Sequence, residues 1–176
     1  MTKVVLIGGP CSGKSTIINM LKHKGYDVVP EVAKDVFLSM GLPDPSNQDW
    51  YASLQNIIAM EQIKRESQFN NSKLTFLDRG IYDIIAYCQK DLGFVPDTAK
   101  KIIDNHPGYD LVFLLDQLPF VKESYRVEKN HQEAALLHAM VYDVYKTLGY
   151  DIIKIPILPP KQRLDYLLRR YHELTN

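Results

Sequence analysis

The stretch GGPCSGKS, residues 8–15, has the residue types and the spacing needed to hold a phosphate group. It fits the pattern G-x-x-x-x-G-K-[ST], whose four fixed positions are Gly8, Gly13, Lys14 and Ser15. Glycines let backbone N–H groups point inward around phosphate oxygens, and the start of a helix adds unpaired donors and partial positive charge. We expect Lys14 to reach the β- and γ-phosphates of a nucleotide and Ser15 to ligate Mg²⁺.

The residues on either side of this loop favour a nucleotide site over an ordinary glycine turn. The apolar run KVVLI comes before the loop, and residues 15–24 have the pattern of a helix that ends before Gly25. A strand, a glycine-rich loop and a helix in this order are the context in which the motif binds nucleotides. We expect Mg-ATP to contact the loop residues, which are Gly8, Gly9, Pro10, Cys11, Ser12, Gly13, Lys14, Ser15 and Thr16.

Glu31 is a candidate general base. It follows the apolar run YDVV and Pro30, so we expect it at the carboxyl end of the second strand, beside the first strand. A carboxylate at that position could accept a proton from an attacking hydroxyl. It could equally be a negative charge at the start of a helix, where the helix dipole favours it. The spacing alone does not decide between these two roles.

Asp78 and Arg79 follow the third apolar run, in the segment LTFLDRGIYD. The carboxylate could hold Mg²⁺ directly or through water, and the guanidinium could clamp a phosphate. A surface ion pair next to a helix is the simpler alternative. Asp116, at the end of the run DLVFLLD, has an equal claim as the metal carboxylate by hydropathy. We favour Asp78 because Arg79 adjoins it, and the choice stays open at this stage.

A polar segment at about residues 117–131, which includes PFVKESYRVEKN, is expected to form a lid. It carries Lys122, Arg126 and Lys129, and basic side chains on a mobile segment suit closure over phosphate and exclusion of water. A solvated loop is the alternative, because charged runs usually face solvent. Arg126 is the best candidate in this segment for a cation that stabilises the transition state.

The elements that must position these residues alternate along the chain. Five short apolar runs are expected as strands, and helices are expected between them and after the last one. Alternation of this kind predicts an α/β fold, with parallel strands and helices on both faces of the sheet. Ligands of such sheets bind at the carboxyl ends of the strands. The long helix expected at residues 50–69 could be capped by Asp49.

Length and composition limit the class of protein. The 176 residues are expected to form one domain, residues 1–176, with the lid segment inside it. Lys and Arg together number 21, and so do Asp and Glu, so the formal net charge is zero. Long-range electrostatic attraction to nucleic acid or to a membrane surface is therefore not expected. No signal peptide or membrane-spanning run is recognised, and two cysteines without a pairing pattern suit a reducing cytoplasm.

Taken together, the motifs resemble a known group of proteins. The stretches GGPCSGKSTIINMLKHKGYDVVPEVAKDV, SLQ, FLDRGIYD and YRVE resemble the deoxynucleoside kinases and the nicotinamide riboside kinases. The chain is more similar still to the small AAA-domain predicted ATPases related to the latter. The resemblance follows the whole chain and is strongest at the phosphate loop, VVPE and DRGIYD. It implies a P-loop NTPase fold, a three-layer α/β/α sandwich with five parallel strands in the order 2-3-1-4-5.

The resemblance also implies catalytic roles. It makes Glu31 the base that deprotonates a sugar hydroxyl of the acceptor. It makes Asp78 and Arg79 the pair that positions Mg²⁺ and phosphate. One departure from the family pattern is that the acidic member of this pair is Asp78 where the kinases usually have Glu.

Further residues are assigned to the acceptor by the same resemblance. Gln55, on the long helix, corresponds loosely to a Gln that contacts the base of the acceptor. Arg126 and Glu128 correspond to a lid Arg and a nearby Glu that contact phosphate and sugar. Asp83 falls one place short of the Asp that contacts the base, so the sequence does not identify a particular nucleoside.

The sequence therefore predicts an ATP-dependent phosphotransferase that moves the γ-phosphate of Mg-ATP to a hydroxyl of a small, nucleoside-like metabolite. The alternative is a switch or ligand-binding module that binds or hydrolyses a nucleoside triphosphate without kinase activity. A Ras-like GTPase is disfavoured, because neither D-x-x-G nor [NT]-K-x-D occurs. The identity of the acceptor, the choice between ATP and GTP, and the oligomeric state are left open by the sequence.

Overall fold

A sheet of five parallel strands forms the centre of the described part of the chain. The computed structural model describes residues 2–42, 44, 46–121 and 128–175. The strands are β1 Thr2–Ile7, β2 Asp27–Val29, β3 Leu74–Asp78, β4 Leu111–Leu115 and β5 Ile152–Ile155. Their spatial order is β2-β3-β1-β4-β5, which confirms the order implied by the resemblance.

Seven helices in the described residues cover the two faces of this sheet. They are α1 Lys14–His23, α2 Val32–Met40, α3 Gln48–Ser67, α4 Asp83–Asp91, α5 Asp97–Asp104, α6 His131–Thr147 and α7 Pro160–Thr175. The helices α1 and α7 share one apolar core with the sheet, and α2 to α6 share the other. This arrangement confirms the predicted three-layer α/β/α sandwich. None of the described helices is both long and apolar enough to cross a membrane.

The central strand β1 shows why the strand sequences are continuously apolar. Val4 and Leu6 pack in the core shared with α1 and α7, whereas Val5 and Ile7 pack in the opposite core. All four side chains are fully buried, because successive residues of a strand face opposite sides of the sheet. Each contributes roughly 1.5–3 kcal/mol by burial, and this two-sided burial holds the carboxyl end of β1 in place.

Two sequence expectations are wrong. The second strand does not adjoin the first, because β3 pairs with both β1 and β2. Glu31 therefore lies one strand further from the phosphate loop, and the end of β3 comes between them.

The cap of α3 is Asn47 rather than Asp49, and its side chain accepts a hydrogen bond from the Trp50 N–H at 3.1 Å. The helix begins earlier than expected, so Asp49 falls within its first turn.

A buried carboxylate, Glu66, ties α3 to the other side of its core. Its Oε2 accepts hydrogen bonds from Lys3 Nζ and His106 Nε2, both at 3.0 Å. Its Oε1 accepts hydrogen bonds from Gln62 Nε2 and the Tyr109 hydroxyl, both at 2.9 Å. Burial alone would raise the pKa of Glu66, but the bonds from His106, Gln62 and Lys3 outweigh burial and lower it to about 2. Glu66 is therefore ionised and stabilises the fold.

Replacement of Glu66 by glutamine tests this network. The pKa of Glu66 in the fold, about 2, is below its ordinary value of 4.5, so the stabilisation is complete above that value and is lost as the pH falls toward 2. We expect Glu66→Gln to lower the free energy of unfolding at neutral pH by about 1–3 kcal/mol. We also expect the variant to show a weaker loss of stability in acid. Urea unfolding at a series of pH values measures both effects.

The control is Glu173→Gln, which changes an exposed carboxylate on α7. It should leave the free energy of unfolding and its acid dependence nearly unchanged. An acid dependence of the Glu66→Gln variant equal to that of the wild type would contradict the account.

Candidate active site

The glycine-rich loop joins β1 to α1 and turns through three left-handed residues. The backbone φ angle is 133° at Gly8, 59° at Cys11 and 82° at Gly13. Glycine adopts such angles readily, and Gly8 is also needed for space, because a Cβ there would lie 2.9 Å from the Leu115 carbonyl oxygen. The turn leads directly into α1, whose first amides have no carbonyl partner within the helix and favour an anion.

Lys14 supplies a cation to this loop. Its ammonium group donates hydrogen bonds to the carbonyl oxygen of Gly8 at 2.8 Å, and to the Gly9 carbonyl oxygen and Ser12 Oγ, both at 3.0 Å. Burial, and secondly the charge of neighbouring Arg79, lower the pKa of Lys14 to about 8. A phosphate beside these two cations would reduce the electrostatic cost of burying them, so the charges favour an anionic ligand.

Ser15 and Asp78 are in direct contact. Ser15 Oγ donates a hydrogen bond to Asp78 Oδ2 at 2.6 Å, whereas Asp78 Oδ1 is buried and has no hydrogen-bond partner among the described residues. Burial, followed by the charge of Glu31, raises the pKa of Asp78. A hydroxyl beside a carboxylate with an unsatisfied oxygen is an oxygen-donor set that fits Mg²⁺.

The structure distinguishes the surroundings of the two carboxylates that the sequence left as alternatives. Asp78 accepts a hydrogen bond from Ser15 Oγ of the loop and keeps a buried, unpartnered Oδ1, whereas the described contact of Asp116 with the loop region is made by its backbone carbonyl, which accepts a hydrogen bond from Arg163 at 2.6 Å. Within the described part of the chain, no group of three or more His, Cys, Asp or Glu side chains could hold a metal. Mg²⁺ at Asp78 would therefore depend on water and phosphate for most of its ligands, which is common for this ion.

Arg79 connects the carboxylate of Glu31 to the phosphate loop. Its Nε donates a hydrogen bond to Glu31 Oε1 at 2.8 Å, and its Nη1 donates one to the Gly8 carbonyl oxygen at 3.3 Å. The backbone of Arg79 is left-handed, with φ 70°, a conformation that costs a residue other than glycine about 1–2 kcal/mol. The guanidinium therefore spans the end of β3 and brings Glu31 and the loop to one site, although their strands do not pair.

Asp83 braces the turn that carries Arg79. Its Oδ2 accepts hydrogen bonds from the Gly80 N–H at 3.1 Å and from the Tyr145 hydroxyl at 2.9 Å, and its Oδ1 lies 3.5 Å from Arg79 Nη1. Burial raises the pKa of Asp83, and the charge of Arg79 opposes this effect. Gly80 is required by the packing, because a Cβ there would lie 2.5 Å from the Tyr145 hydroxyl oxygen.

The helix α6 supports the phosphate loop as well as this turn. The Gly9 N–H donates a hydrogen bond to His138 Nδ1 at 3.2 Å. A Cβ at Gly9 would lie 2.7 Å from the Ala134 carbonyl oxygen, so glycine allows α6 to approach the loop. His138 and Tyr145 are two helical turns apart and lie on the same face of α6. One helix therefore holds both loops of the site.

Arg163, on α7, supports the phosphate loop from the other core. Its guanidinium donates hydrogen bonds to the carbonyl oxygens of Ser12 at 2.6 Å, Asp116 at 2.6 Å and Pro156 at 2.9 Å. Arg163 is 2% exposed, and carbonyl oxygens of three chain segments solvate its charge. A buried positive charge beneath the loop adds to the preference for an anion.

The described ends of the expected lid border the loop. The Leu118 N–H donates a hydrogen bond to the Cys11 carbonyl oxygen at 2.9 Å, and the Val121 N–H donates one to Cys11 Sγ at 3.2 Å. Glu128, near the other end, is buried and lines the cavity. Arg126 falls within residues 122–127, which lie outside the described residues, so its role stays a prediction.

A cavity of about 320 Å³ extends from the loop to one face of α3. Its wall includes loop residues 10–16, Glu31, Arg79 and Gln55, and it does not include Gly8, Gly9 or Asp78. Gln55 is 2% exposed, and its side-chain amide makes no hydrogen bond with the described residues. A buried amide without a partner costs free energy, so this amide is suited to contact a ligand in the cavity.

The sequence did not reveal several residues of this site. Asp83 lies three residues after DRG and was compared only with a base-contacting Asp, so its support of the Arg79 turn was not predicted. Gln62 is a polar residue two turns from Gln55 on the buried face of α3, and this spacing was a local signal. His138 and Arg163 had none, because their loop partners lie 129 and 151 residues away along the chain.

Residues 3–163 match the family model described as AAA domain. The chain belongs to the AAA domain family. This match covers most of the chain and confirms the resemblance that the motifs carry.

Two curated viral proteins are similar to this member of the AAA domain family. A putative deoxynucleoside kinase of Frog virus 3 (isolate Goorha) is 26% identical over 89 residues, which are 49% of this chain and 46% of that protein. A probable deoxycytidine kinase of Fowlpox virus (strain NVSL) is 26% identical over 134 residues, which are 69% of this chain and 56% of that protein. The chain thus spans about half the length of these relatives.

Solved structures share the fold. A deoxyadenosine kinase from M. mycoides has a TM-score of 0.67 at 16% identity and covers 98% of this chain and 100% of its own. The NadR protein in complex with NR has a TM-score of 0.73 at 16% identity, over 98% of this chain and 51% of its own. A thymidylate kinase from Candida albicans has a TM-score of 0.64 at 18% identity, over 98% and 91% of the two chains.

Replacement of Gly9 by alanine tests the contact between α6 and the loop. The new methyl group would lie 2.7 Å from the Ala134 carbonyl oxygen and 2.9 Å from His138 Cβ, and neither atom is the end of a flexible side chain. We expect Gly9→Ala to lower the free energy of unfolding by about 1–3 kcal/mol and to weaken the affinity for Mg-ATP. Urea unfolding and calorimetric titration measure the two quantities.

The matched control is Gly25→Ala. Gly25 has a positive φ of 87° and open space around its Cβ position, so its replacement costs backbone strain alone. The control should lose stability and keep its affinity for Mg-ATP. Unchanged stability and affinity in Gly9→Ala would contradict the inferred contact.

Proposed function

We propose that this protein is a small-molecule kinase that transfers the γ-phosphate of ATP to a hydroxyl of a nucleoside-like acceptor. The observation that supports this most strongly is the pair formed by Glu31 and Arg79 at 2.8 Å in the wall of a cavity that reaches the phosphate loop. A carboxylate beside a phosphate site suits proton removal from an acceptor hydroxyl. A protein that only hydrolyses a nucleoside triphosphate binds no acceptor, so it has no need of a cavity beside Glu31.

The donor side of the proposed reaction rests on the loop. Lys14 and the amides at the start of α1 would bind the β- and γ-phosphates of ATP. Ser15 and Asp78 would hold Mg²⁺, which neutralises negative charge on the phosphate oxygens when it is bound. The unsatisfied Oδ1 atom of Asp78 supports this assignment over Asp116.

In the proposed transfer, the oxygen of the acceptor hydroxyl forms a bond to the γ-phosphorus. The bond between that phosphorus and the oxygen bridging to the β-phosphate breaks, and ADP leaves with its electron pair. The hydroxyl proton passes to a carboxylate oxygen of Glu31. Arg79 orients Glu31 and neutralises charge on the group in transfer, and Arg126 of the lid is proposed as a second cation.

The acceptor is proposed to be a sugar-bearing metabolite of about the size of a nucleoside. The cavity of about 320 Å³ has a volume typical of small-molecule sites, and the buried amide of Gln55 in its wall is suited to a heterocyclic base. Glu128, which is 5% exposed at the cavity, is proposed to contact the sugar. The names of the relatives, which are deoxynucleoside and deoxycytidine kinases, point to the same class.

The direct test is incubation of the purified protein with ATP, Mg²⁺ and a panel of nucleosides that includes nicotinamide riboside. We expect a phosphorylated product from at least one member, which mass spectrometry detects. ATP hydrolysis without transfer to any member would contradict the proposal and favour the alternative, a nucleotide-dependent switch or binding module.

Replacement of Lys14 by alanine tests the donor side. Removal of the ammonium group should reduce ATP turnover by at least about 100-fold, because a charge that stabilises the transferred phosphate is lost. The fold, measured by circular dichroism, should remain. Lys22→Ala, on the exposed face of α1, is the control and should retain wild-type turnover. Wild-type turnover in Lys14→Ala would remove the loop from the mechanism.

Replacement of Glu31 by glutamine tests the proposed base. The amide cannot take the hydroxyl proton, so phosphate transfer should fall by at least about 100-fold, while the affinity for Mg-ATP is kept. The control is Asp35→Asn, on the helix α2 that begins directly after Glu31. It changes a half-exposed carboxylate that pairs with Arg65 at 2.6 Å. Transfer at the wild-type rate by Glu31→Gln would exclude Glu31 as the base.

A further inference from the structure

One face of α3 forms a wall of the cavity. Its residues recur at the spacing of a helix face and are Tyr51, Gln55, Ile58 and Gln62. Two of these side chains are amides, and both are almost fully buried, with Gln55 2% exposed and Gln62 4% exposed. They are two helical turns apart, which is about 10 Å along the helix axis. A ligand in the cavity therefore meets two amides at different depths.

The amide of Gln62 is held in one orientation by the carboxylate behind it. Its Nε2 lies 2.9 Å from Glu66 Oε1, which also accepts the Tyr109 hydroxyl at 2.9 Å. The other oxygen, Oε2, accepts a hydrogen bond from Lys3 Nζ at 3.0 Å. An ionised carboxylate only accepts hydrogen bonds, so Gln62 must turn its NH₂ group toward Glu66.

The remaining contacts of Glu66 agree with its ionised form. The Gly108 N–H donates a hydrogen bond to His106 Nδ1 at 3.0 Å, so Nε2 of that ring carries the proton and donates to Glu66. The Ile81 N–H donates to the Tyr109 hydroxyl oxygen at 2.7 Å, which leaves the Tyr109 proton for Glu66. Every neighbour of the carboxylate is thus a donor, and the pKa of Glu66 is lowered to about 2.

The two amides differ in what they offer a ligand. Gln55 makes no hydrogen bond with the described residues, so its amide is able to turn either its oxygen or its nitrogen to the cavity. Gln62 is held with its nitrogen toward Glu66, which takes one of its two N–H groups, so Oε1 is the acceptor that Gln62 offers to the cavity. A carbonyl oxygen in a buried wall loses free energy unless an N–H or O–H group of the ligand binds it.

We propose that Gln62 determines specificity, by selecting acceptors whose ring carries an exocyclic amino or carboxamide group that donates to Gln62 Oε1. The inference rests on the proposed function, because the cavity is taken as the acceptor site. It adds to that function a required chemical group, an N–H donor on the ring. A ring that carries hydrogen in place of the amino group leaves the carbonyl oxygen unpaired and is discriminated against.

The experiment compares ribosides that differ by one amino group. Adenosine is paired with purine riboside, and cytidine is paired with the riboside of pyrimidin-2-one. For the wild type, we expect the amino-bearing member of the accepted pair to have the higher kcat/KM by at least about tenfold. The dissociation constants of the same ribosides, measured by calorimetry with a non-hydrolysable ATP analogue present, should differ in the same direction.

Three variants separate the role of Gln62 from a structural one. Gln62→Met keeps the length of the side chain. It should reduce the ratio of kcat/KM between the amino-bearing riboside and its partner to about one. Gln55→Met should weaken the binding of both ribosides of a pair by the same factor, because the amide of Gln55 has no fixed orientation. Tyr109→Phe removes another hydrogen-bond donor from the same oxygen of Glu66. The free energy of unfolding should fall, while the ratio of kcat/KM within each pair should stay at the wild-type value.

A fourth variant tests the cause of the orientation and serves where Gln62→Met does not fold. Glu66→Gln replaces the acceptor-only carboxylate by an amide, which allows Gln62 to turn either way. The ratio within each pair should therefore fall toward one, although no residue of the cavity wall has changed. A wild-type ratio in Glu66→Gln would overturn the inference.

The outcomes for the inference and for the kinase function are distinct. Phosphorylation of both members of each pair at equal rates would overturn the selection by Gln62 and leave the kinase function in place. Tighter binding of the amino-bearing members without phosphorylation of any riboside would support the selection and contradict the kinase function. Absence of binding by all four ribosides would overturn the selection.

Discussion

The candidate site depends on one buried guanidinium. Arg79 lies at the end of β3, and its hydrogen bonds at 2.8 Å and 3.3 Å join Glu31, which follows β2, to Gly8, which follows β1. A charge in this position requires partners, and the carboxylates of Glu31 and Asp83 supply them. Because Arg79 is paired on one side with the proposed base and on the other with the glycine-rich loop, the positions needed for the proposed transfer are set by the protein alone.

The surrounding packing preserves this geometry. The helix α6 approaches both loops where the chain has glycine, at Gly9 and Gly80, and a Cβ at either position would collide with atoms of α6. Its hydrogen bonds through His138 and Tyr145 connect α6, which follows the expected lid, to the glycine-rich loop and to the turn that carries Arg79. A shift of α6 would therefore displace the loop and the turn together, which couples the site to the region where a lid is expected.

Sequence predicted the features that have local causes. The glycine-rich loop and the helices follow from a short motif and from apolar periodicity, and Asp78 was favoured because Arg79 adjoins it. The strand order has no local cause and was implied by the family resemblance alone. The sequence placed Glu31 beside the wrong strand, since strand order is a property of the whole sheet. His138 and Arg163 were missed because a residue's partner more than 100 positions away leaves no pattern nearby. The cap at Asn47 was missed by two residues, a common error at helix ends.

In the proposed reaction, the Glu31 carboxylate faces the terminal phosphate of the donor across the cavity, with the acceptor between them. A crystal structure with a non-hydrolysable ATP analogue, Mg²⁺ and a nucleoside that the protein phosphorylates tests this arrangement directly. The account predicts a hydroxyl oxygen of the nucleoside at about 2.6–3.2 Å from a Glu31 oxygen, on the line to the γ-phosphorus. A nucleoside bound elsewhere, or a Glu31 side chain turned away from both ligands, would contradict it.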